Sequence, residues 1–490
     1  FRHLGGLRTA LFNYLFARRH GGRFLLRVED TDKEREVPGS VARILSDLEW
    51  CGLDVDQGPV LRPGTDDVDG DHPDSVACLQ SLHLERFQEH ADALLEVGNA
   101  YRCFCSPERL QALRDHQARH GLPSVYDRAC LGLSEEEVAS KVAAGEPCVV
   151  RLKVPPGSSS VKDEVLGSVT FPHHIVDDQV LLKTDGYPTY HLASVVDDHA
   201  MGITHVIRGQ EWLSSTPKHV LLYAALGWEP PKFAHLPLLL NTDKTKLSKR
   251  KGDVAVHSFA TAGFLPEALL NFVVLLGWNP KDEREVFALS QLVGLFSLEG
   301  VNKANGVVDR KRLEWLNGQH LREAYGEDGT DGPRAAATRS HVEGVVIPLL
   351  EVSVVVLFCP GDPADRFCRK LWQLLEDCTM CERVGALPDF VPLLLPSFVE
   401  PAGVELPDGA EALLGDVHEG LRPDAGADFP QHVMATVKQV AKAHGVPPKR
   451  VMVPLRMCLT GAQAGPPLSQ LLAHLGADTC LRRLSAAATQ

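Results

Sequence analysis

The sequence predicts an α/β protein, with a parallel sheet flanked by helices in its first half and a mainly helical tail. Three observations lead there. The opening reads glycine turn, helix, strand, acidic loop and helix. A second strand-and-helix series runs from residue 180 to about residue 226, and helical spacing dominates beyond Leu265. Strands alternating with helices suit a sheet whose right-handed crossovers cover its faces.

The elements follow in order. Leu7, Ala10, Leu11, Tyr14 and Leu15 recur at helical spacing up to Arg19. Residues 23–28 (RFLLRV) read as a short buried strand that ends in the acidic cluster Glu29-Asp30-Thr31-Asp32. Residues 41–52 return to helical spacing, and residues 57–75, rich in Gly, Pro and Asp, predict an exposed loop. A mixed region from about 100 to 180 precedes a strand at 180–183 and a turn at Asp185-Gly186-Tyr187-Pro188. The Gly- and Asp-rich stretch 326–332 reads as a linker into the helical tail, and no internal repeat is visible.

A chain of 490 residues fits roughly two to four domains. Its longest apolar run, 345–359, is broken by Pro348, Glu351 and Ser353 and falls short of the roughly 20 residues a membrane helix needs. A buried helix or strand is expected there. The net charge of −14 counts against nucleic-acid binding, because phosphate contacts need cations. Binding depends on where cations cluster, however, and clusters stand at Arg18-Arg19, 244–251, 310–312 and 438–450. Twelve dispersed cysteines are no disulfide framework and favour a reducing compartment; Cys148 and Cys458, among apolar neighbours, read as core thiols. The chain opens on Phe1 with no visible signal or transit peptide, so its natural start is expected upstream.

Two motifs carry chemistry. His3-Leu4-Gly5-Gly6 opens the first helix, where glycines let a nucleotide approach the backbone N–H groups and an imidazole can donate to phosphate. Alone, an ordinary glycine turn is the commoner explanation. Lys246-Leu247-Ser248-Lys249-Arg250 gathers cations that can neutralise a leaving pyrophosphate, although an isolated basic loop is usually just solvated. In this order and spacing the pair resembles the HIGH and KMSKS signatures of class I aminoacyl-tRNA synthetases. Residues 3–32, 185–219 and 236–253 resemble the glutamyl-tRNA synthetase family almost without a break.

That resemblance implies a Rossmann-type parallel-sheet catalytic domain (1–100 and 181–240) interrupted by an α+β connective region (101–180). A KMSKS-loop and stem-contact region (241–325) and a mainly α-helical anticodon-binding domain (333–490) would follow. It implies ATP as substrate, accompanied by Mg2+, with L-glutamate and tRNA(Glu) as partners; whether tRNA(Gln) is also charged is left open. His3, Lys246 and Lys249 would be catalytic; Gly5, Gly6, Glu211, Leu247, Ser248 and Arg250 would join Lys246 and Lys249 around ATP. Arg208 would grip a glutamate carboxylate through two parallel hydrogen bonds, Glu29 would face the ammonium, and Tyr190, His191, Leu192, Ala193 and Ser194 would line the pocket. Without the surrounding blocks, Arg208 and Glu29 would read as surface ion pairs. A monomer is expected, with no membrane association. The mitochondrial matrix is the favoured compartment and bacterial cytoplasm the alternative.

The chain departs from the family pattern in places. Only Phe1-Arg2 precede the first signature, where the family has a strand and an RFAPSPTG-type segment, so the chain reads as a fragment. Gln80-Ser81-Leu82-His83 is the nearest match to a GPYxQSxR-type segment and lacks its arginine, and residues 335–401 match poorly. Cys103, Cys105 and Cys130 match three ligands of a zinc site in some relatives, but Gly132 stands where the fourth, a histidine, would be. Three thiols do not close a tetrahedral site, so no metal is expected. Cys378 and Cys381 form a lone CxxC taken as incidental. Two other functions compete: an enzyme that glutamylates a modified nucleoside of tRNA, disfavoured by the helical tail, and a non-catalytic RNA-binding paralogue, disfavoured by the retained KLSKR and pocket.

Overall fold

The computed structural model describes residues 4–32, 37–247, 255–326, 401, 404–421, 428–463 and 467–488. The chain divides into two compact units, Phe1–His257 with Leu270–Asp309, and Ser258–Leu269 with Arg310–Gln490.

In the first unit the opening helix spans Leu4–Arg19, one turn earlier than its apolar spacing suggests, so that Gly5 and Gly6 form its first turn. Its apolar stripe is fully buried at Leu4, Leu7, Leu11, Phe12 and Leu15, with Phe12 edge-on to Phe296 at 5.1 Å. Arg18 and Arg19 in the last turn complement the negative end of the helix dipole. The helix expected at 41–52 is Ser40–Trp50.

The RFLLRV segment is not a continuous strand. Leu25 and Val28 make single parallel bridges to Gln57 and Leu79, and residues 25–28 are half-buried, because the segment flanks an open cavity. Its apolar side chains suggested burial on both faces; one side is wall instead. The predicted loop at 57–75 is irregular until the short helix Pro73–Cys78.

Strands β1 (Ala100–Cys103), β2 (Val149–Leu152) and β5 (Val180–Leu182) form an antiparallel sheet in the order β1-β2-β5. A second sheet has the order β4-β3-β7-β6, from β3 (Ser158–Asp163), β4 (Gly167–Pro172), β6 (His205–Gly209) and β7 (Lys232–Leu236). β6 and β7 run parallel from His205↔Lys232 to Gly209↔Leu236, and the helix Thr216–Ala225 lies between them in sequence as the crossover. β3 joins β7 in parallel at Asp163↔Phe233, while β4 adds an antiparallel edge. The sheet is therefore mixed, as in many α/β proteins. The β3–β4 hairpin, inside the stretch expected as an insertion, is hydrogen-bonded into the sheet that carries Arg208. Phe87, Leu94, Leu152, Leu181, Val195 and Leu222 form a shared core beneath the helices Leu84–Glu96, Tyr190–Ala200 and Thr216–Ala225. β8 (Leu239–Leu240) and β9 (Gly306–Val307) make a small parallel pair.

The second unit contains the helices Ala410–Glu419, Phe429–Ala443, Lys449–Thr460 and Leu468–Ala488, packed around Leu414, Val433, Val437, Leu455 and Leu472. The last is broken at Gly476, whose φ of 74° and ψ of 163° are not helical. Cys458 is buried as expected and Cys148 half-buried. Residues 327–332 of the expected linker, the run 345–359, and Cys378 with Cys381 lie outside the described residues. No described helix is long and apolar enough to cross a membrane.

Candidate active site

A cavity of about 1660 Å³ opens in the first unit beside the opening helix, the 21–29 segment and β6. Its walls gather Gly5, Gly6, Glu29, Arg208, Glu211, Lys246 and Leu247, residues far apart in sequence. His3, Ser248, Lys249 and Arg250 lie outside the described residues.

One wall suits phosphate. The start of an α-helix favours an anion, and here Gly5 and Gly6, with no side chains, let a ligand come close to the backbone. Asn13 locks this helix to the sheet, its Nδ2 donating to Thr9 O at 2.8 Å and to Ile207 O at 2.9 Å. Arg8 is buried, donates to Pro237 O, and has Nε and Nη1 unpartnered among the described residues. Burial lowers its guanidinium to about 10, and the Glu211 carboxylate opposes that shift. Glu211 folds back over Gly209, where an added Cβ would stand 2.3 Å from its carboxylate oxygen; any side chain at 209 would push Glu211 away. Lys246 and Leu247 are carried by a hairpin turn. Asn241 accepts from Lys244 N and donates to Thr245 O, Leu247 N donates to Leu239 O, and Lys244 takes a φ of 63° at the tip.

A second group of residues suits an amino acid. Arg208 is buried on β6, with Nε donating to His235 Nε2 at 3.2 Å and Nη2 to Thr216 Oγ1 at 3.0 Å and Trp212 O at 3.3 Å. Burial lowers its guanidinium below the usual value, and neighbouring Tyr190, in hydrogen-bonding reach, opposes this. Among the described residues no carboxylate comes within ion-pair distance of it. Glu29 is presented by a braced loop: Arg27 bonds Asp198 at 2.8 Å and Glu29 at 3.3 Å, while Asp30 accepts from Ser81 Oγ at 2.6 Å. Desolvation raises the Glu29 carboxyl above its usual range and Arg27 opposes the rise. Gln80 donates to Asp197 at 2.7 Å, so Gln80-Ser81 anchors the loop that offers Glu29.

None of residues 190–194, expected to line the pocket, is among those forming the cavity wall. Tyr190 packs beside Arg208 against Trp212, with ring centroids 4.7 Å apart and planes tilted by 38°. His191 turns to His219, with Nδ1 and Nε2 3.1 Å apart, and burial lowers its imidazole to about 4. Leu192 and Ala193 are fully buried in the core and Ser194 is buried, so these three support the wall from behind. Sequence reasoning missed Arg8, Asn13, Thr216, Asp163 and His235. A histidine inside the apolar run KFAHLPLLL was the available signal, since a buried polar side chain needs a partner.

Cys103, Cys105 and Cys130 converge, their sulfurs within 4.8 Å of one another, and Tyr126 Oη lies 3.4 Å from Cys103 and 3.2 Å from Cys105. Burial pushes the Cys105 thiol up to about 11. Among the described residues the cluster offers three sulfurs and no histidine, short of the closed four-ligand set of a structural zinc.

The profile of the class I tRNA synthetase (E and Q) catalytic domain matches residues 1–315, and that of an anticodon binding domain matches 382–488. The chain is 40% identical to the glutamate–tRNA ligase of Clostridioides difficile (strain 630), over 99% of this chain and 96% of that protein. Against the glutamate–tRNA ligase of Alkaliphilus metalliredigens (strain QYMF) the identity is 39%, with the same coverage. This chain belongs to the glutamate–tRNA ligase family. Two solved structures agree: a glutamate tRNA ligase from Elizabethkingia meningosepticum in complex with its amino acid, at TM-score 0.79, and a glutamate-tRNA synthetase from Elizabethkingia anophelis, at 0.77. Each is 30% identical, and each match covers 100% of this chain and 97% of the other. As a glutamate–tRNA ligase family member the chain is a class I synthetase in fold, with a mixed sheet first and a helical anticodon-binding part last.

Proposed function

We propose that this chain activates L-glutamate with ATP and transfers it to the 3′ end of tRNA(Glu). The observation that carries this is Arg208, a buried guanidinium that has no carboxylate within ion-pair distance among the described residues and opens on the cavity holding the helix start and Lys246. A buried charge left unpaired costs several kcal/mol, so the site is built for an anion from outside. A glutamate carboxylate oxygen attacks the α-phosphorus of ATP, forming the mixed anhydride and releasing pyrophosphate. A terminal ribose hydroxyl of the tRNA then attacks the glutamyl carbonyl and releases AMP. The protein's share is positioning and charge stabilisation. Arg208 holds a carboxylate, Glu29 meets the ammonium with Tyr190 beside it, the Gly5-Gly6 helix start lets phosphate approach the backbone, and Lys246 steadies developing charge. His3, Ser248, Lys249 and Arg250 join by family resemblance. Mg2+ accompanying ATP would supply charge neutralisation to the phosphates, and Glu211, in the cavity wall, would offer it carboxylate oxygens.

Pyrophosphate exchange into ATP, measured with full-length protein, should require both glutamate and tRNA(Glu). Exchange driven by another amino acid, or none with a folded protein, would sink the assignment. The nucleoside-modifying alternative is disfavoured by the anticodon-domain match at 382–488. For compartment, the relatives named above are bacterial and favour the cytoplasmic alternative; the matrix assignment rests on a resemblance of residues 252–270 and 454–467 to animal mitochondrial enzymes. The proposed domain limits keep 101–180 as connective region, with its 158–172 hairpin serving the catalytic sheet.

A further inference from the structure

Behind Arg208 lies a buried polar chain to which the reaction assigns no task. The side chains of Asp163 and His235 are 2% and 0% exposed. Asp163 Oδ2 is 2.6 Å from His235 Nδ1, while Oδ1 accepts backbone N–H groups of Val165 at 3.0 Å, Leu166 at 2.8 Å and His235 at 3.3 Å. An ionised carboxylate only accepts, so Nδ1 must carry the imidazole proton. Nε2 is then the ring's acceptor, and it faces Arg208 Nε at 3.2 Å and Thr216 Oγ1 at 3.1 Å. A guanidinium only donates, so this tautomer alone avoids setting donor against donor. Thr216 Oγ1 and Trp212 O hold Nη2, and the Phe233 ring lies 5.5 Å from the guanidinium carbon. With Nε and Nη2 tied, the plane of the guanidinium is set before any ligand arrives.

We propose that Asp163 and His235, with Thr216, are positioning residues for the amino-acid substrate: Asp163 fixes the His235 tautomer, and His235 and Thr216 aim Arg208 at the substrate carboxylate. This rests on Arg208 being the carboxylate-binding group. Neither Asp163 nor His235 touches the substrate; they act through Arg208.

Asp163→Asn tests it. The three backbone N–H groups pin the asparagine oxygen where Oδ1 now sits, so its NH2 must face His235 Nδ1. That forces the proton to Nε2, against Arg208. The KM for glutamate should rise about tenfold or more while the KM for ATP stays within about twofold. Thr216→Val, which removes one acceptor and keeps the shape, should raise the glutamate KM several-fold and carries the test if Asp163→Asn does not fold. 15N NMR of labelled histidine should show one buried imidazole exchanging its Nδ1–H for Nε2–H in Asp163→Asn, a change that mere loss of packing would not give. Arg208→Lys is the control. If it raises the glutamate KM but folded Asp163→Asn and Thr216→Val do not, positioning is refuted and the role of Arg208 stands. If both KM values rise together with a lowered melting temperature and an unchanged tautomer, the chain is only structural. If Arg208→Lys leaves glutamate binding intact, the Arg208 reading fails and takes this proposal with it.

Discussion

At the scale of single residues, charge placement decides what the cavity can hold. Arg208→Gln keeps a polar side chain but removes the charge and the fork, and a charged hydrogen bond is worth about 1.5–3 kcal/mol. Its glutamate KM should therefore rise about tenfold to a hundredfold with ATP KM little changed; equal effects on both substrates in exchange assays would contradict the assignment. His191 supports a pH prediction. Its imidazole titrates near 4 in the folded protein and near 6.5 when free, and burial also depresses its partner His219. As pH falls from 6.5 toward 4, the unfolded chain takes up protons that the folded chain refuses, so stability falls across that window. Urea midpoints should drop between pH 7 and pH 5, and less so in His191→Gln; an unchanged slope would remove His191 from the account. The sequence made Arg208 and Glu29 legible because family blocks surround them. It hid Asp163 and His235, since their link spans 72 positions and nothing in KDEVLG alone marks a buried acid.

Secondary-structure elements carry these groups to their places. The opening helix was readable from its apolar spacing, and its anchoring was not: Asn13 sits where the helix crosses β6, a neighbour almost 200 positions away. Asn13→Ala should cost about 1–2 kcal/mol in urea denaturation, the loss of a side-chain bond that leaves a partly buried carbonyl. It should also weaken ATP binding, because the helix start loses its register; a variant with full stability and normal ATP KM would show that the tie is incidental. RFLLRV misled because an apolar run cannot say whether both its faces are covered. SSSVKD, residues 158–163, stayed undivided within the mixed region. Backbone pairing to β4 and β7 makes it a strand whatever its propensity.

For the whole molecule, two compact units imply two unfolding events. Leu455 is fully buried in the helical unit, and Leu455→Ala should cost about 2–5 kcal/mol there. Denaturation followed by circular dichroism should show one transition moving to lower urea while the other stays; a single shared transition would mean that the units melt together. The division into sheet-bearing and helical parts was visible in the sequence, but the boundary was not, because 258–269 belongs with a unit that resumes only at Arg310. The β3–β7 pairing has a last consequence, for birth at the ribosome. Asp163 is made some 70 residues before Phe233, its partner in the ladder. At about 5–20 residues per second it waits roughly 4–14 s, while its hairpin with β4 can close in microseconds. During that interval the nascent hairpin exposes a lone edge and a partnerless acid to whatever greets the emerging chain, and rare codons between these positions would prolong the exposure.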